Sequence, residues 1–375
     1  MANPFESITN IFSRKSPSVI GIDIGSSSIK VVQLARKKNR AVLETYGELA
    51  LGPSAGLEIG RATNLPSQKI AEALIDLLRE SSVGSKSCGM AIPIASSLIS
   101  LMEMPALDEK QLAQMIPIEA RKYIPVSVQE VTLDWWVIPR EGERSWTMES
   151  EKNENIQRGR MVDVLLVAIL NSALEKYQTI VKTSSLECSF FEIEVFSTIR
   201  AVLDRDIVPV MIVDIGAATT KLTIVERGIV KNSHIINRGS QDITLSISRS
   251  LSISVAEAEN RKREFGLLNM TDEGKQISEI SLSVIQFIFS EASRTLLGYQ
   301  KKYNKNVGKA VLTGGGSVLK GLFDVAKKSI ETDVVRADPF SKVEAPAFLE
   351  PVLKNAGPEF AVALGIALRR LGEVE

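Results

Sequence analysis

Two stretches of this sequence repeat one pattern about 190 residues apart. The first reads Ile20-Gly-Ile-Asp-Ile-Gly-Ser-Ser-Ser-Ile-Lys-Val-Val and the second Ile212-Val-Asp-Ile-Gly-Ala-Ala-Thr-Thr-Lys-Leu-Thr-Ile. Each is an apolar strand, an Asp-Ile-Gly turn, a run of small or hydroxyl residues, a lysine and a second apolar strand. Such a turn presents backbone N–H groups and hydroxyls to a phosphate. Asp23 and Asp214 would repel phosphate directly, so a hydrated divalent cation is their natural partner. Gly25 and Gly216 let the backbone turn tightly against an anion. Ser26, Ser27 and Lys30 in the first copy, and Ala217, Thr219, Thr220 and Lys221 in the second, complete the pair. Two copies imply two similar halves gripping one nucleotide from opposite sides.

Two further patterns fit the same chemistry. Thr313-Gly-Gly-Gly-Ser317 lies between an expected strand and an expected helix. Gly314, Gly315 and Gly316 allow a flat ligand to lie on bare backbone, beside a helix N-terminus that favours negative charge. The run is neither a P-loop nor a dinucleotide fingerprint. Glu259 and Lys262, three apart, share one helix face. Taken singly, each pattern also reads as an ordinary turn, a plain loop or a surface ion pair.

Composition narrows the alternatives. The chain has 375 residues, more than one ordinary core, so two lobes are expected. Lys plus Arg and Asp plus Glu both number 45, so no basic excess points to a nucleic-acid partner. The longest apolar run, Val164 to Leu170, is too short for a bilayer. No signal-peptide pattern opens the chain, and Cys88 and Cys188 make no disulfide framework, which fits a reduced cytoplasmic setting. His234 is the single histidine, so His-rich zinc sites and His-based triads are almost excluded.

The elements that must position these residues follow from periodicity. Residues 1–18 carry Phe5, Ile8 and Phe12 at helical spacing, and read as a frayed terminus or a weak surface helix. Strands are expected from Val19 to Leu34 around the first turn and near Ala41–Ala50. Ser67 is expected to cap a helix burying Ile70, Leu74 and Leu77. Residues 88–170 read as an inserted module: strands Gly89–Ile94 and Ser97–Met104, a helix from Asp108 that Pro117 kinks or ends, and strands Val131–Ile138 and Met161–Leu170. Arg140–Arg160, charged and poor in apolar residues, reads as a long mobile loop. Helices are expected over Ala173–Ser184, Glu192–Leu203, Ile243–Ile253, Ser254–Phe265, Ile277–Lys302, Leu319–Lys328 and Phe360–Leu371.

In order and spacing, these four elements resemble the actin-like ATPase superfamily from Val19 to about Leu371. The resemblance implies an α/β fold of two related, RNase H-like lobes with ATP and Mg²⁺ in the cleft. The lobes would comprise 19–87 with 171–205 and 206–242 with 308–375, the module 88–170, and a helical subdomain 243–307. Asp23 and Asp214 would hold magnesium through water. Gly25, Ser26, Ser27, Lys30, Gly216, Ala217 and Thr219 would hold phosphates. Glu259 and Lys262 would contact ribose or base, and Gly314–Gly316 would back the adenosine. Relatives often carry Gly-Gly after the second hairpin; here Gly239-Ser240 stands instead, retaining one small residue. Glu194 is the nearest candidate to orient an attacking water, and it reads equally well as a satisfied carboxylate, so turnover stays open.

The module discriminates within the superfamily. Ala91-Ile-Pro, Met104-Pro-x-Leu, Ile118-Glu-Ala-Arg-Lys-Tyr-Ile-Pro125 and Val131-Thr-Leu-Asp-Trp-Trp-Val resemble the PilM family of type IV pilus assembly proteins, itself similar to the FtsA family. That resemblance implies a cytoplasmic ATP-binding protein held at the inner membrane through the N-terminal cytoplasmic tail of a PilN-like partner, with self-association left open. Trp135 and Trp136 point to opposite strand faces, so one is expected outside the module core. An FtsA-like division protein would end in a membrane-binding amphipathic helix, whereas this sequence ends Leu371-Gly-Glu-Val-Glu. A small-molecule kinase would need an Asp base over a substrate hydroxyl, which the sequence does not single out.

Overall fold

The computed structural model describes residues 18–138 and 161–374. The expected N-terminal helical pattern and the Arg140–Arg160 loop lie outside the described residues. Two five-stranded sheets share one topology. In the first, β1 (Ser18–Ile24) pairs antiparallel with β2 (Ser28–Lys37), which pairs antiparallel with β3 (Arg40–Ala50). On the other side β1 runs parallel to β4 (Ser87–Ile92), and β4 parallel to β8 (Glu187–Ile193). The second repeats this order with β9 (Val210–Ile215), β10 (Thr220–Glu226), β11 (Ile229–Ile236), β12 (Lys309–Thr313) and β13 (Asp333–Arg336). All of β9 is buried, as expected of a central strand covered on both faces. The repeated hairpin motif is thus the opening of a repeated lobe.

Helix α1 (Ser67–Glu80) buries Ile70, Leu74 and Leu77 against the first sheet. It begins at Ser67 itself. Pro66, preset in φ, occupies the capping position and no side-chain cap bond forms, so Ser67 is not the cap. Strand β4 lies between β1 and β8, so Cys88–Ile92 belong to the first lobe's sheet and not to the inserted module. Buried on both faces, its short apolar run carries no signal of which sheet it joins.

The module proper is a three-stranded antiparallel sheet with central β7 (Met161–Leu170) between β5 (Ser97–Pro105) and β6 (Val131–Ile138). Helix α2 (Glu109–Ala120) covers one face, burying Leu112 and Ile116 among Met102, Met104, Val164 and Leu166. An Asp108–Gln111 capping box starts this helix, and Pro117 is accommodated inside it near its end.

Helix α3 (Asn171–Thr183) returns the chain to the first lobe and packs beside α1. Residues 187–193 form β8, so the helix expected from Glu192 starts later, as α4 (Glu194–Val202). The second lobe carries α5 (Ser240–Leu251), α6 (Val255–Phe265), the long α7 (Asp272–Tyr303) and α8 (Leu322–Ser329) around one core. Helix α8 starts after a short turn over Gly315–Val318. After α9 (Glu350–Ala356), the last helix α10 (Ala361–Glu373) crosses back and packs on β1, β2, β4 and α4. Its place is therefore on the first lobe, although 308–375 was expected to belong wholly to the second. An apolar helix declares a buried face but not its partner sheet.

Candidate functional site

The two hairpins face each other across a cleft of about 810 Å³. Each turn is closed in the same way: Gly25 N–H donates to Ser28 O at 3.0 Å, and Gly216 N–H to Thr219 O at 2.9 Å. In each hairpin the aspartate faces the lysine across the ladder, Asp23 opposite Lys30 and Asp214 opposite Lys221. Lys30 Nζ donates to Ser28 Oγ at 2.6 Å and pairs with Glu48 Oε1 at 2.9 Å. Lys221 Nζ pairs with Asp214 Oδ2 at 3.2 Å and with Glu194 Oε2 at 2.7 Å.

Glu194 opens α4 and is buried. Its second oxygen accepts the Ile94 N–H at 2.8 Å, so the carboxylate holds both the second lobe and the root of the inserted module. Burial by itself would depress Lys221, but Asp214 and Glu194 outweigh it and hold the ammonium above the usual lysine range. Burial pushes Asp23 up to about 6, against the pull of Lys30 and with Glu194 adding to the rise.

A second charged cluster closes the other end. Glu259 Oε2 accepts from Lys262 Nζ and Thr244 Oγ1, both at 2.6 Å, and Arg263 Nε donates to its other oxygen at 2.7 Å. Burial would raise Glu259, yet Lys262 more than compensates and keeps the carboxyl low; burial lowers Lys262 itself. The pair is a structural anchor rather than a surface bridge. The first lobe reaches this cluster from across the cleft. At Gly60, with φ of +87°, an added Cβ would stand 2.9 Å from the Glu259 carboxyl carbon, and nearby Ala62 N–H donates to Gln241 Oε1 at 3.0 Å.

The glycine run lies against the second hairpin. At Gly314, with φ of +82°, a Cβ would lie 2.2 Å from Asp214 Oδ1, so only glycine lets that loop and that aspartate coexist. Pro358 O receives the Gly314 N–H and the Thr313 hydroxyl, which sets Glu359 on the cleft wall.

The cleft brings together the expected Asp23, Gly25, Ser26, Ser27, Lys30, Glu194, Asp214, Gly216, Ala217, Thr219, Glu259, Lys262 and Gly314–Gly316. Gly239 is not on its wall. It stands behind the second turn, where a Cβ would meet Ala217 O at 2.4 Å, so it supports the hairpin instead of facing a ligand. Sequence reasoning missed the partners Glu48, Thr244, Arg263, Gly60 and Tyr177. The bridging role of Lys221 had a signal, its equivalence to Lys30 in the repeat.

This donor set suits a nucleotide: glycine turns, hydroxyls and two lysines around the hairpins, and bare backbone at Gly314–Gly316. Among the described residues no group of three or more His, Cys, Asp or Glu side chains forms a metal cage. Asp23 and Asp214 each line the cleft beside a glycine turn, and two single carboxylates suit an ion held through its water shell. Also among the described residues, no helix is long and apolar enough to cross a membrane.

The fold is the actin-like ATPase fold. A solved PilM–PilN type IV pilus biogenesis complex is similar over 95% of this chain and 99% of that one, with a TM-score of 0.77 and 22% identity. The ethanolamine utilization protein EutJ from Carboxydothermus hydrogenoformans matches over 94% and 90%, with a TM-score of 0.54 and 15% identity. The cell division protein FtsA of Neisseria meningitidis is 23% identical over 84% of this chain and 82% of its own length. Residues 21–371 match the family described as Type IV pilus assembly protein PilM, and the chain belongs to that family.

Proposed function

We propose that the cleft binds ATP with a hydrated magnesium ion and that nucleotide state sets the grip of the inserted module on a PilN-like membrane partner. The observation that carries this reading is the facing pair of hairpins, with Asp23 and Asp214 at equivalent registers on either side of one cavity. Asp23 and Asp214 would hold the ion through water, and when bound it supplies charge neutralisation of the phosphates. The chain's own groups do the rest. Gly25–Ser27 and Gly216–Thr219 cradle phosphate oxygens, Lys30 balances their charge, Glu259 and Lys262 order the nucleoside end, and Gly314–Gly316 form its floor. Glu194 is the candidate to orient an attacking water, its carboxylate fixed by Ile94 N–H and Lys221.

Coupling to the module has a physical route. Ile94 belongs to one apolar cluster with Ile99, Val167 and Ile169 of the module, Ile193 and Val195 of the first lobe, and Val230 and Ile235 of the second. Three bodies thus meet beside Glu194, which gives relative lobe motion a packed route to the module root. The similarity to a PilM–PilN complex supports the N-terminal tail of a PilN-like inner-membrane protein as the partner. Docking through such a tail would hold this chain at the inner membrane from the cytoplasm.

Titration of the purified protein with ATP, ADP and magnesium, followed by binding of a labelled partner-tail peptide in each state, tests the proposal. ATP affinity and a tail affinity that differs between nucleotide states are expected. Folded protein without ATP affinity in magnesium would refute it.

A further inference from the structure

The chain has two cysteines, Cys88 and Cys188, a hundred residues apart in sequence, and the fold sets them side by side. They are direct partners across the parallel ladder of β4 and β8. Both pack on the same core cluster of the first lobe, so their side chains share one face of the sheet. Neighbouring strands stand ~4.8 Å apart, within the ~4.4–6.8 Å between Cα atoms that a disulfide spans. The ladder also slips here. Met90 pairs with Phe191, so β8 carries one extra residue just past the cysteines, a bulge that loosens the local pairing.

The two thiols are not equivalent. Cys88 is fully buried, whereas Cys188 is half-buried on an edge strand that a small oxidant can reach. The Cys88 S–H donates to the Cys188 sulfur, which holds the Cys188 thiol below the usual cysteine range. That same bond, together with burial, pushes Cys88 far up and keeps it protonated. Cys188 S–H donates to Phe190 O at 3.2 Å, which orients its side chain. Arg370, whose Nε donates to Ser87 Oγ at 3.1 Å, adds positive charge beside the pair. A reachable thiol that ionises readily, backed by a buried protonated one, suits an attacking and a resolving cysteine.

We propose that Cys88 and Cys188 are a modification site, a dithiol that peroxides convert reversibly to an intramolecular disulfide. The Cys188 thiolate attacks one oxygen of hydrogen peroxide, forming a sulfenic acid and releasing hydroxide. The Cys88 sulfur then attacks the Cys188 sulfur, the S–O bond breaks, and the Cys88 proton leaves with the hydroxyl as water. In sum two thiols lose two hydrogens and one hydrogen peroxide becomes two waters. At the sheet edge the bond stays open to thiol reductants. It joins the two strands that lead directly to Ile94 and Glu194.

The test treats reduced full-length protein with hydrogen peroxide, then alkylates free thiols and maps them by mass spectrometry. The monomer should lose two hydrogens and yield a linked Cys88–Cys188 peptide pair that dithiothreitol separates. Cys88→Ser should stop at a Cys188 sulfenic acid that dimedone traps, and Cys188→Ser should oxidise at Cys88 at least about tenfold more slowly. Persisting free thiols in wild type, sulfinic acid without a linked pair, links only between chains, or Cys88→Ser without a dimedone adduct would overturn the proposal. Should a variant fail to fold, phenylarsine oxide, which bridges adjacent thiols, gives a second reading on wild type. One bound per reduced chain is expected, and none bound overturns the pairing. No nucleotide enters this test, so its outcome is separate from that of the cleft.

Discussion

Lys221 and Glu194 form an ion pair across the two lobes, 2.7 Å from Nζ to Oε2, while the other Glu194 oxygen accepts the Ile94 N–H at 2.8 Å. Both oxygens are therefore occupied, and the carboxylate is fixed in position without a ligand. A group held this way suits orienting a water far better than accepting a proton at a distance. Glu194→Gln keeps an acceptor for Ile94 and removes the charge. Phosphate release from ATP is expected to fall by about a hundredfold or more, with ATP affinity changed only a few-fold. Single-turnover phosphate release beside equilibrium titration checks both parts. Unchanged release would show that Glu194 is purely structural.

Asp23 gives a pH signature with a definite sign. Its buried carboxyl titrates at about 6, whereas an unfolded aspartate titrates near ~3.9. Below the unfolded value both states hold the proton and there is no penalty. As pH rises from ~3.9 to ~6 the unfolded chain ionises first, so stability is lost, and above ~6 the loss is complete at ~2–3 kcal/mol. Asp23→Asn should thus raise the melting temperature of the nucleotide-free protein at pH 7.5 by several degrees and leave it unchanged near pH 4. Scanning calorimetry at the two pH values decides. A lower melting temperature at pH 7.5 contradicts the raised carboxyl.

The repeat was legible in the sequence because its chemistry is local: an aspartate, a glycine corner and a lysine within one hairpin. The same holds for Glu259 with Lys262, whose spacing of three puts them on one helix face, and for Gly314–Gly316, a bare run between a strand and a helix. What stayed hidden depends on distant chain. Strand β4 and α10 declare their burial but not which sheet they join, and Gly60 reaches Glu259 only because a loop and helix α6, some 200 residues apart in sequence, meet at the cleft rim. Tyr177 had no signal either, since a lone aromatic on an amphipathic helix reads as core. Ser67 was misread because a preset Pro66 can start a helix without a side-chain cap.

Gly60 offers a test of lobe closure that spares every group on the phosphates. Its φ of +87° disfavours a side chain, and a methyl there would press on the Glu259 carboxylate from across the cleft. Gly60→Ala should hold the lobes apart, weakening nucleotide binding by about tenfold or more at a stability cost of only ~1–2 kcal/mol. Small-angle scattering with and without nucleotide would show the compaction of wild type missing from the variant. Full compaction and unchanged affinity would mean that the rim contact is incidental to closure.

The adjacent tryptophans of β6 separate module stability from partner binding. Trp135 packs with Leu112, Ile116 and Val164 under α2, whereas Trp136 is 51% exposed on the opposite face. On that face Trp136 stands opposite Leu165, and Val167 further along β7 packs against the first lobe through Ile193 and Val195. Trp136 is thus an exposed aromatic on the module face that packs, further along, on the first lobe, and exposed large rings are suited to anchoring extended peptides. Trp136→Ala should weaken partner-tail binding by about tenfold or more and leave melting unchanged. Trp135→Ala should cost ~2–4 kcal/mol of module stability. Peptide titration paired with calorimetry distinguishes them. If Trp136→Ala binds the tail as wild type does, the peptide contacts another surface of the module, and the exposed ring must be explained without it.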